Sequence, residues 1–228
     1  MMRPVIAIFT LLLTASAGDW TLAKEKSGIA VYTREVAGSD FVAFRGETVV
    51  EGSVATLIAI MYDIPNAPAW LYNCSFSMTV EERGFKDNII FQTYDLPFPA
   101  GDRQVMLEAK LVWSAESARL ETRESNRYCD GRQTERCKRV RGSGHIMMER
   151  SRGSYTFRQL DENRTKVVWQ QHLEPGGIIP AWLANALVID IPFNTLRQLQ
   201  SMVKDTKYRT MTESDLRRMW LEQYKQFH

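Results

Sequence analysis

A strand, a break and a long apolar helix near the C-terminal end constrain the fold more than any other stretch. Residues 167–199 read VVWQQHLEPGGIIPAWLANALVIDIPFNTLRQL. Residues 167–173 are typical of a strand, and the Pro-Gly-Gly at residues 175–177 interrupts it. A helix begins near Pro180, because proline needs no N–H partner in a first helical turn. The residues that then recur at helical spacing are Leu183, Leu187, Ile191 and Thr195.

This spacing gives the helix one apolar side, which must be covered by another part of the protein or by a ligand. Pro192 lies inside the helix and removes the bond to the carbonyl of Val188, which predicts a kink. A long apolar helix that follows a run of strands indicates a helix lying over a sheet rather than a member of a helical bundle.

The N-terminal residues have the pattern of a secretory signal peptide. Arg3 supplies a positive start, residues 5–13 form a short apolar run, and Ala15-Ser16-Ala17 is an A-x-A cleavage site. A membrane anchor is the alternative, but a spanning helix needs about 20 apolar residues. We therefore predict a signal peptide over residues 1–17 and export of the mature chain, most simply to the periplasm.

The composition limits the classes of partner and of reaction. The 228 residues carry a net charge of only +2, so the overall charge does not indicate binding to nucleic acid. Aromatic residues make up 11% of the chain and include six Trp, and such side chains must fill a core or line a cavity. The sequence has no G-x-S-x-G elbow, no phosphate-binding glycine loop and no H-E-x-x-H. We expect no cofactor, no metal and no catalytic residue.

Export changes the interpretation of the three cysteines. Cys129 and Cys137 flank an Asp-Gly turn dipeptide, and an oxidising compartment favours a disulfide between them. Metal binding is the alternative, although the ligands are too few and only His145 is near. Cys74 lies in an alternating apolar run and is expected to be a small buried side chain rather than a nucleophile.

Alternating segments predict a run of antiparallel strands between short helices and the long helix. Residues 19–26 suggest a helical or irregular lead-in, Ser53 is expected to cap a helix over residues 54–62, and a further turn ends near Trp70. The predicted strands cover residues 29–34, 41–50, 75–82, 88–94, 104–113, 118–124, 144–149, 153–160 and 166–173. This order predicts an α+β fold with a ligand cleft between sheet and helix.

Two segments have less certain roles. The arginine-rich residues 123–141 are interpreted as a solvated hairpin, with an anionic partner or an assembly contact in the cell envelope as alternatives. Residues 206–228 form a C-terminal tail with a short helix predicted from Thr212. The residues expected on its apolar side are Leu216, Met219, Trp220 and Phe227.

Three clusters, in order, resemble the steroidogenic acute regulatory protein-related lipid transfer (START) family. LIAIMYDIPNAPAWLYNC (residues 57–74) is similar to a family helix that ends in Asp before a Trp-containing turn. YDLPFPAGDRQVM (94–106) resembles Y-x-x-P-F-P-x-x-x-R-D-x-V, and HLEPGGIIPAWLAN (172–185) resembles D-P-G-G-x-I-P-x-W-L-x-N. Gln104 and Glu174 depart from the pattern, because the family often has Asp at both positions.

The resemblance implies a helix-grip fold over residues 18–205. In this fold a curved antiparallel β-sheet wraps around the C-terminal helix and encloses a hydrophobic cavity for one lipid or sterol-like molecule. It also implies non-covalent carriage rather than chemistry. We expect the carrier to be a monomer that contacts a membrane surface transiently. The last helix and the loop over residues 96–102 would form the gate, with residues 175–177 as its hinge.

The same resemblance predicts which side chains contact the ligand. They are Trp70, Tyr94, Phe98, Arg103, Trp113, Trp169, Ile179, Trp182, Leu183, Leu187 and Ile191. Arg103 precedes an apolar strand, so its buried guanidinium would need an anionic head group or a carboxylate, from Asp102 or Glu108. Phe98 is expected either to plug the mouth of the cavity or to fill the core.

An enzyme that uses the same cavity, such as a cyclase or hydrolase acting on an apolar substrate, is the alternative function. It would need an acid–base pair within reach of the cavity, and His172 with Asp190 is the candidate pair. Otherwise His172 is expected to be a hydrogen-bonded structural residue.

Overall fold

The computed structural model describes residues 19–84, 86–212, 214–218 and 221. The predicted signal peptide, and Met219, Trp220 and Phe227 of the predicted tail helix, lie outside the described residues. The elements, in chain order, are β1 (Thr21–Lys26), β2 (Ile29–Arg34), β3 (Ala43–Val50), α1 (Val54–Tyr62), a 3-10 turn (Ile64–Ala69), β4 (Cys74–Gly84), β5 (Asp87–Tyr94), β6 (Arg103–Trp113), β7 (Ser117–Glu124), α2 (Glu135–Gly142), β8 (Ile146–Met147), β9 (Arg150–Asp161), β10 (Arg164–Glu174) and α3 (Ala181–Met202).

One curved sheet contains all ten of these strands, in the order β1-β2-β3-β10-β9-β7-β6-β5-β4. Neighbours along this path are antiparallel, and the short β8 runs parallel to the first residues of β6. β10 lies beside β3, so the strand that precedes α3 is central in the sheet. The predicted α+β class, a curved antiparallel sheet with a long C-terminal helix, is confirmed.

α1 begins as the sequence predicts and is almost completely buried. Ser53 Oγ accepts a hydrogen bond from Thr56 N at 3.1 Å, and Gln159 Oε1 of β9 accepts one from Val54 N at 3.0 Å. Both bonds satisfy N–H groups that have no partner inside the helix. The start of α1 is therefore fixed to the sheet that it covers.

α3 packs onto β2 and β3, and Pro192 and Leu196 in its second half lie against Gly46 of β3. It starts where the sequence predicts, with the Pro180 carbonyl accepting from Leu183 N and Ala184 N. A Cβ at Gly46 would lie 2.7 Å from Leu196 Cδ1 and 3.3 Å from Pro192 Cβ, so glycine is needed for this close approach. Leu196 has no exposed surface.

The segment after α3 is bonded to the end of α1. Tyr208, which has no exposed surface, donates its hydroxyl to Asp63, and Lys207 Nζ pairs with the same carboxylate. Asn66 Nδ2 donates to Tyr208 Oη at 2.8 Å. Leu216, in a helical stretch over residues 214–218, belongs to the same core cluster. The first part of the predicted tail therefore packs on the domain.

Two predicted segments differ in the structure. Residues 19–26 contain strand β1 rather than the predicted helical or irregular lead-in, because Thr21–Lys26 pairs with β2 at the edge of the sheet. Residues 123–141 do not form a hairpin: β7 ends at Glu124, and α2 begins after Thr134, whose Oγ1 accepts from Cys137 N at 3.2 Å. Such a cap favours a helix.

α2 and the turn before it cover the outer face of β4–β6. Cys129, Cys137 and Val140 pack with Phe91 and Met106, whose side chains point away from the face that α3 covers. The predicted disulfide between Cys129 and Cys137 is confirmed, with a Cα–Cα distance of 5.2 Å. It joins the turn to α2. None of the described helices is long and apolar enough to cross a membrane.

We expect the Cys129→Ser/Cys137→Ser double variant to lose about 2–3 kcal/mol of unfolding free energy, since its unfolded chain is no longer closed into a small loop. Urea denaturation measures the loss, and wild-type protein reduced with dithiothreitol is the matched control. An unfolding free energy equal to that of the oxidised protein would contradict a stabilising role for this bond.

Candidate functional site

An apolar cavity of about 170 Å³ lies between the concave face of the sheet and the first half of α3. Strands β5, β6, β7, β9 and β10 supply one wall. The opposite wall comes from one face of α3, at residues Ala184, Asn185, Leu187, Val188 and Ile191. The closed end is formed by α1, the 3-10 turn and the residues that follow, among them Met61, Ala67, Trp70 and Leu71.

Three loops form the other end of the cavity, which we call the mouth. The loop residues that line it are Asp40, Phe41 and Val42 before β3, Leu96 between β5 and β6, and Pro175 and Ile179 between β10 and α3. These residues are half-buried or exposed, whereas Trp70 and Leu71 at the closed end are buried. The mouth is therefore the part of the cavity nearest to solvent.

The cavity wall is nearly free of charge. Among the described residues that line it, only Asp40 is charged, and Asp40 is exposed at the mouth. An isolated charge is costly to move into apolar surroundings. The wall therefore favours an apolar molecule without a net charge in its buried part.

One row of residues brings polar side chains onto the sheet wall. Successive antiparallel pairs join Asn88 to Ala109, Ala109 to Thr122, Thr122 to Gly153, and Gly153 to Gln171. Residues directly opposite each other in neighbouring strands share a face of the sheet. Asn88, Thr122 and Gln171, which we call the polar row, all line the cavity.

Several polar groups of the wall are already bonded to the protein. Gln171 Nε2 donates to Ser151 Oγ at 2.9 Å, and Gln171 Oε1 accepts from Trp169 Nε1 at 3.3 Å. A Cβ at Gly153 would lie 2.1 Å from Gln171 Oε1, so glycine leaves the space that this amide occupies. Tyr94 Oη donates to Gln92 Oε1 at 2.7 Å.

Apart from Tyr94, none of these residues with wall amides or hydroxyls is among the contacts predicted from the sequence. Their signal is weak: Asn88 and Gln92 lie four residues apart on one face of a mainly apolar strand, and the sequence does not show whether that face is the inner or the outer one. Only the register of five strands places Asn88, Thr122 and Gln171 in one row across the sheet.

The structure places the eleven predicted contact residues in two groups. Those that line the cavity are Trp70, Tyr94, Trp169, Ile179, Leu187 and Ile191. The other five lie elsewhere: Trp113 packs against the main core, Leu183 is buried, Arg103 bonds to the loops, and Phe98 and Trp182 are exposed over 93% and 65% of their surface. Phe98 therefore neither plugs the cavity nor fills the core.

Arg103 lies beneath the mouth and has no exposed surface. Its guanidinium donates to four backbone carbonyls, those of Ala100 and Gly101 on one side and those of Pro175 and Gly176 on the other, at 2.6–3.0 Å. Burial lowers the pKa of the Arg103 guanidinium, but an arginine remains protonated at neutral pH. Arg103 thus joins the loop before β6 to the segment before α3.

The carboxylates that the sequence suggested for Arg103 have other partners. Glu108 pairs with Arg83, Lys110 and Arg123 on the outer face of the sheet. Asp102 accepts a hydrogen bond from Leu96 N at 3.3 Å. Four correctly placed carbonyls replace the predicted ion pair.

The candidate acid–base pair does not meet. His172 Nε2 lies 3.1 Å from Ser39 Oγ and 3.2 Å from the Phe41 carbonyl, and burial lowers its pKa, so the neutral ring holds the loop before β3. Asp190 pairs with Lys24 at 3.2 Å. Neither residue lines the cavity.

The described residues also include one free cysteine, Cys74. Cys74 is buried as predicted, and burial raises the pKa of its thiol to about 12, so it stays protonated at neutral pH. Within the described part of the chain, no three His, Cys, Asp or Glu residues are grouped so that they could hold a metal ion.

Comparison with known proteins agrees with this geometry. The START domain family matches residues 4–208. The uncharacterized protein PA1579 of Pseudomonas aeruginosa is 30% identical over 195 residues, which cover 86% of this chain and 92% of that protein.

Solved structures share the fold. A crystal structure of a STAR-related lipid transfer protein (fragment 25–204) from Xanthomonas axonopodis has a TM-score of 0.69 and 25% identity, and the match covers 82% of this chain and 99% of that one. Human StAR-related lipid transfer protein 5 has a TM-score of 0.66 at 13% identity, with coverage of 81% and 86%. These structures confirm the helix-grip fold, and the family match shows that the chain belongs to the START domain family.

Proposed function

We propose that the protein binds a lipid or another hydrophobic molecule in the cavity between the sheet and α3, and carries or senses it in the cell envelope. The uncharged wall is the observation that carries this proposal. Membership of the START family, and a relative from Xanthomonas axonopodis named as a lipid transfer protein, support it. We take the role to be binding without chemistry, because His172 and Asp190 are held apart by other partners.

Burial of an alkyl chain can supply the affinity. Each buried methylene contributes about 0.8 kcal/mol, so about ten methylenes contribute about 8 kcal/mol, which corresponds to a micromolar dissociation constant before the costs of association. The cavity, at about 170 Å³, is smaller than the 300–1,000 Å³ of typical ligand pockets. A long-chain ligand therefore requires an outward movement of part of the wall.

The wall most able to move is the first half of α3. Leu187, Val188 and Ile191 are only partly buried, whereas Leu196 and Leu199 in the second half have no exposed surface. We define the gate as the loop over residues 96–102 together with residues 175–179. Arg103 bonds to both parts, so in our proposal opening breaks some of its four bonds.

The mouth also carries exposed apolar side chains. Phe98 lies two residues before Ala100 and Ile178 two residues after Gly176, so Arg103 brings both to one end of the molecule, where they are 93% and 92% exposed. Trp182, in the first turn of α3, adds an aromatic ring. Such residues beside a lipid cavity suit transient contact with a membrane surface.

We place the mature protein in the periplasm. The apolar run and A-x-A site near the N-terminus support export. The Cys129–Cys137 disulfide supports it independently, because such bonds persist in oxidising compartments. We take the carrier to be a monomer.

Native mass spectrometry of the purified mature protein should show a bound hydrophobic molecule. Leu187→Arg puts a charge on the cavity wall and should remove this mass. Ala186→Arg, on the exposed face of the same helix, should keep it. The proposal fails if the wild-type protein carries no hydrophobic molecule and takes up none from detergent-free lipid suspensions, or if both variants retain it equally.

Arg103→Met should loosen the gate, since it leaves the carbonyls of two loops without donors. We expect a loss of about 2–4 kcal/mol of unfolding free energy and faster amide hydrogen exchange in residues 96–102 and 175–179. Arg119→Met, which removes an exposed arginine on β7, is the control. Unchanged exchange in both parts of the gate would contradict the role of Arg103.

The Phe98→Ser/Ile178→Ser variant should transfer a fluorescent lipid between vesicles about tenfold more slowly, because it lacks apolar contacts with the membrane. Its affinity for the same lipid in solution should not change. Val112→Ser/Leu160→Ser removes two exposed apolar residues of β6 and β9 and should transfer at the wild-type rate. Equal rates for the two double variants would exclude the mouth as the membrane contact.

A further inference from the structure

α2 and the turn before it concentrate positive charge on the outer face of the sheet, away from the cavity. Residues 127–145 contain five Arg and one Lys but only two acids, Asp130 and Glu135. Both acids are paired inside the segment, Asp130 with Arg127 and Glu135 with Lys138. The segment therefore keeps an excess of positive charge. We define the basic surface as its three other exposed arginines, Arg132, Arg139 and Arg141.

Contacts with neutral groups hold these three side chains in place. Arg139 Cζ lies 4.4 Å from the centre of the Phe76 ring, and Arg132 Cζ lies 4.3 Å from the centre of the Tyr128 ring. Arg141 Nη1 donates to two backbone carbonyls, each at 2.9 Å. Within the described part of the chain, neither Arg139 nor Arg141 forms an ion pair. Their charge is thus fixed in position but not neutralised.

α2 runs along the outer face of the sheet toward the mouth. Near its start, Arg136 Nη1 donates to the Val80 carbonyl at 3.3 Å, whereas Arg139, one turn later, lies over Phe76. Phe76 is four residues nearer than Val80 to the start of β4. β4 starts at the mouth end of the sheet, because its first residues pair with the last residues of β5. The end of α2 is therefore the part nearest to the mouth.

The chain passes from α2 directly into the mouth. Ser143, at the end of α2, donates a hydrogen bond to Gln104 Oε1 of β6. Ile146 lies in β8, which pairs with the first residues of β6, and it is 43% exposed. A Cβ at Gly177 would lie 3.5 Å from Ile146 Cδ1, so Ile146 adjoins the segment that exposes Ile178. The basic surface and the exposed apolar residues of the mouth are thus neighbours.

The mouth itself does not attract anions. Asp40 and Glu149 are exposed there, and Glu149 Cγ would lie 3.4 Å from a Cβ at Gly176. Arg103 is buried and its N–H groups are taken by carbonyls. Attraction to an anionic surface must therefore come from cations beside the mouth, and α2 carries them.

We propose that the basic surface binds the anionic head groups of a membrane and thereby turns the mouth toward the bilayer. This inference rests on the proposed membrane contact of the mouth and names the class of lipid that α2 recognises. Each Lys or Arg close to an anionic bilayer strengthens binding about fivefold. Apolar side chains of the mouth do not by themselves distinguish anionic from neutral lipids. A membrane fits better than an acidic protein, because charged head groups above an apolar interior match cations beside exposed apolar side chains.

Vesicle sedimentation with the full mature protein tests the preference for anionic lipid. Vesicles with about one third phosphatidylglycerol should bind the protein about tenfold more tightly at low salt than vesicles of pure phosphatidylcholine. The difference should disappear in about 1 M NaCl, where the Debye length is about 3 Å. Equal binding to the two kinds of vesicle at low salt, or a preference that high salt leaves unchanged, would overturn the inference.

Two pairs of substitutions test the part played by α2. Arg139→Gln/Arg141→Gln should bind anionic vesicles about tenfold more weakly and neutral vesicles as the wild type does. Arg139→Lys/Arg141→Lys keeps the charge but not the planar guanidinium, so it should bind both kinds of vesicle like the wild type. Arg119→Gln/Arg158→Gln is the matched control, since it removes two exposed arginines from the other end of the outer face and should keep wild-type affinity.

The outcomes separate docking by α2 from other causes. An equal loss in both Gln variants would assign the effect to net charge, and a Lys variant as weak as the Gln variant would assign it to structure; either result overturns the inference. Binding of polyglutamate but not of anionic vesicles would also overturn it, in favour of an acidic protein partner. Binding of anionic vesicles that depends on Arg139 and Arg141 supports docking even if native mass spectrometry finds no hydrophobic molecule, in which case only the proposed function fails.

Discussion

The buried guanidinium of Arg103 is the interaction on which the ligand cavity depends. A buried cation is tolerated only when its N–H groups are paired, and here four backbone carbonyls pair them without a carboxylate. Two of the carbonyls belong to the loop before β6 and two to the segment before α3. The position of α3 over the sheet is therefore set at its start by Arg103 and farther along by the close packing of Leu196 on Gly46. Between these two points α3 covers the cavity.

This arrangement gives the two ends of the cavity different chemistry. At the mouth, Phe98, Ile178 and Trp182 expose apolar surface beside loops that Arg103 holds together. In the inner part, the wall consists of apolar side chains and of amides such as that of Gln171, which is bonded within the protein. A molecule with an apolar body and no net charge matches that order. In our proposal, the exposed apolar mouth is the part that contacts a membrane during loading.

Much of the fold follows from local sequence patterns. The spacing of Leu187 and Ile191 predicted one face of α3, and Ser53 predicted the start of α1, because helix faces and caps depend on neighbouring residues only. The site was less predictable. The polar row depends on the register of five strands, and a shift of one residue would turn Asn88 to the outer face. Two of the four carbonyls that Arg103 binds, those of Pro175 and Gly176, lie more than 70 residues away in the chain. No pattern of side chains in the sequence predicts such backbone partners.

Photoaffinity labelling tests the central claim most directly. An uncharged decyl probe with a diazirine near the end of its tail, irradiated with the mature protein and mapped by peptide mass spectrometry, should label the facing walls of the cavity. The residues expected to carry the label are Leu107, Leu120, Leu187, Val188 and Ile191. Labelling confined to exposed Phe98 and Trp182, or to the outer face near Phe91 and Val140, would contradict a ligand site between the sheet and α3.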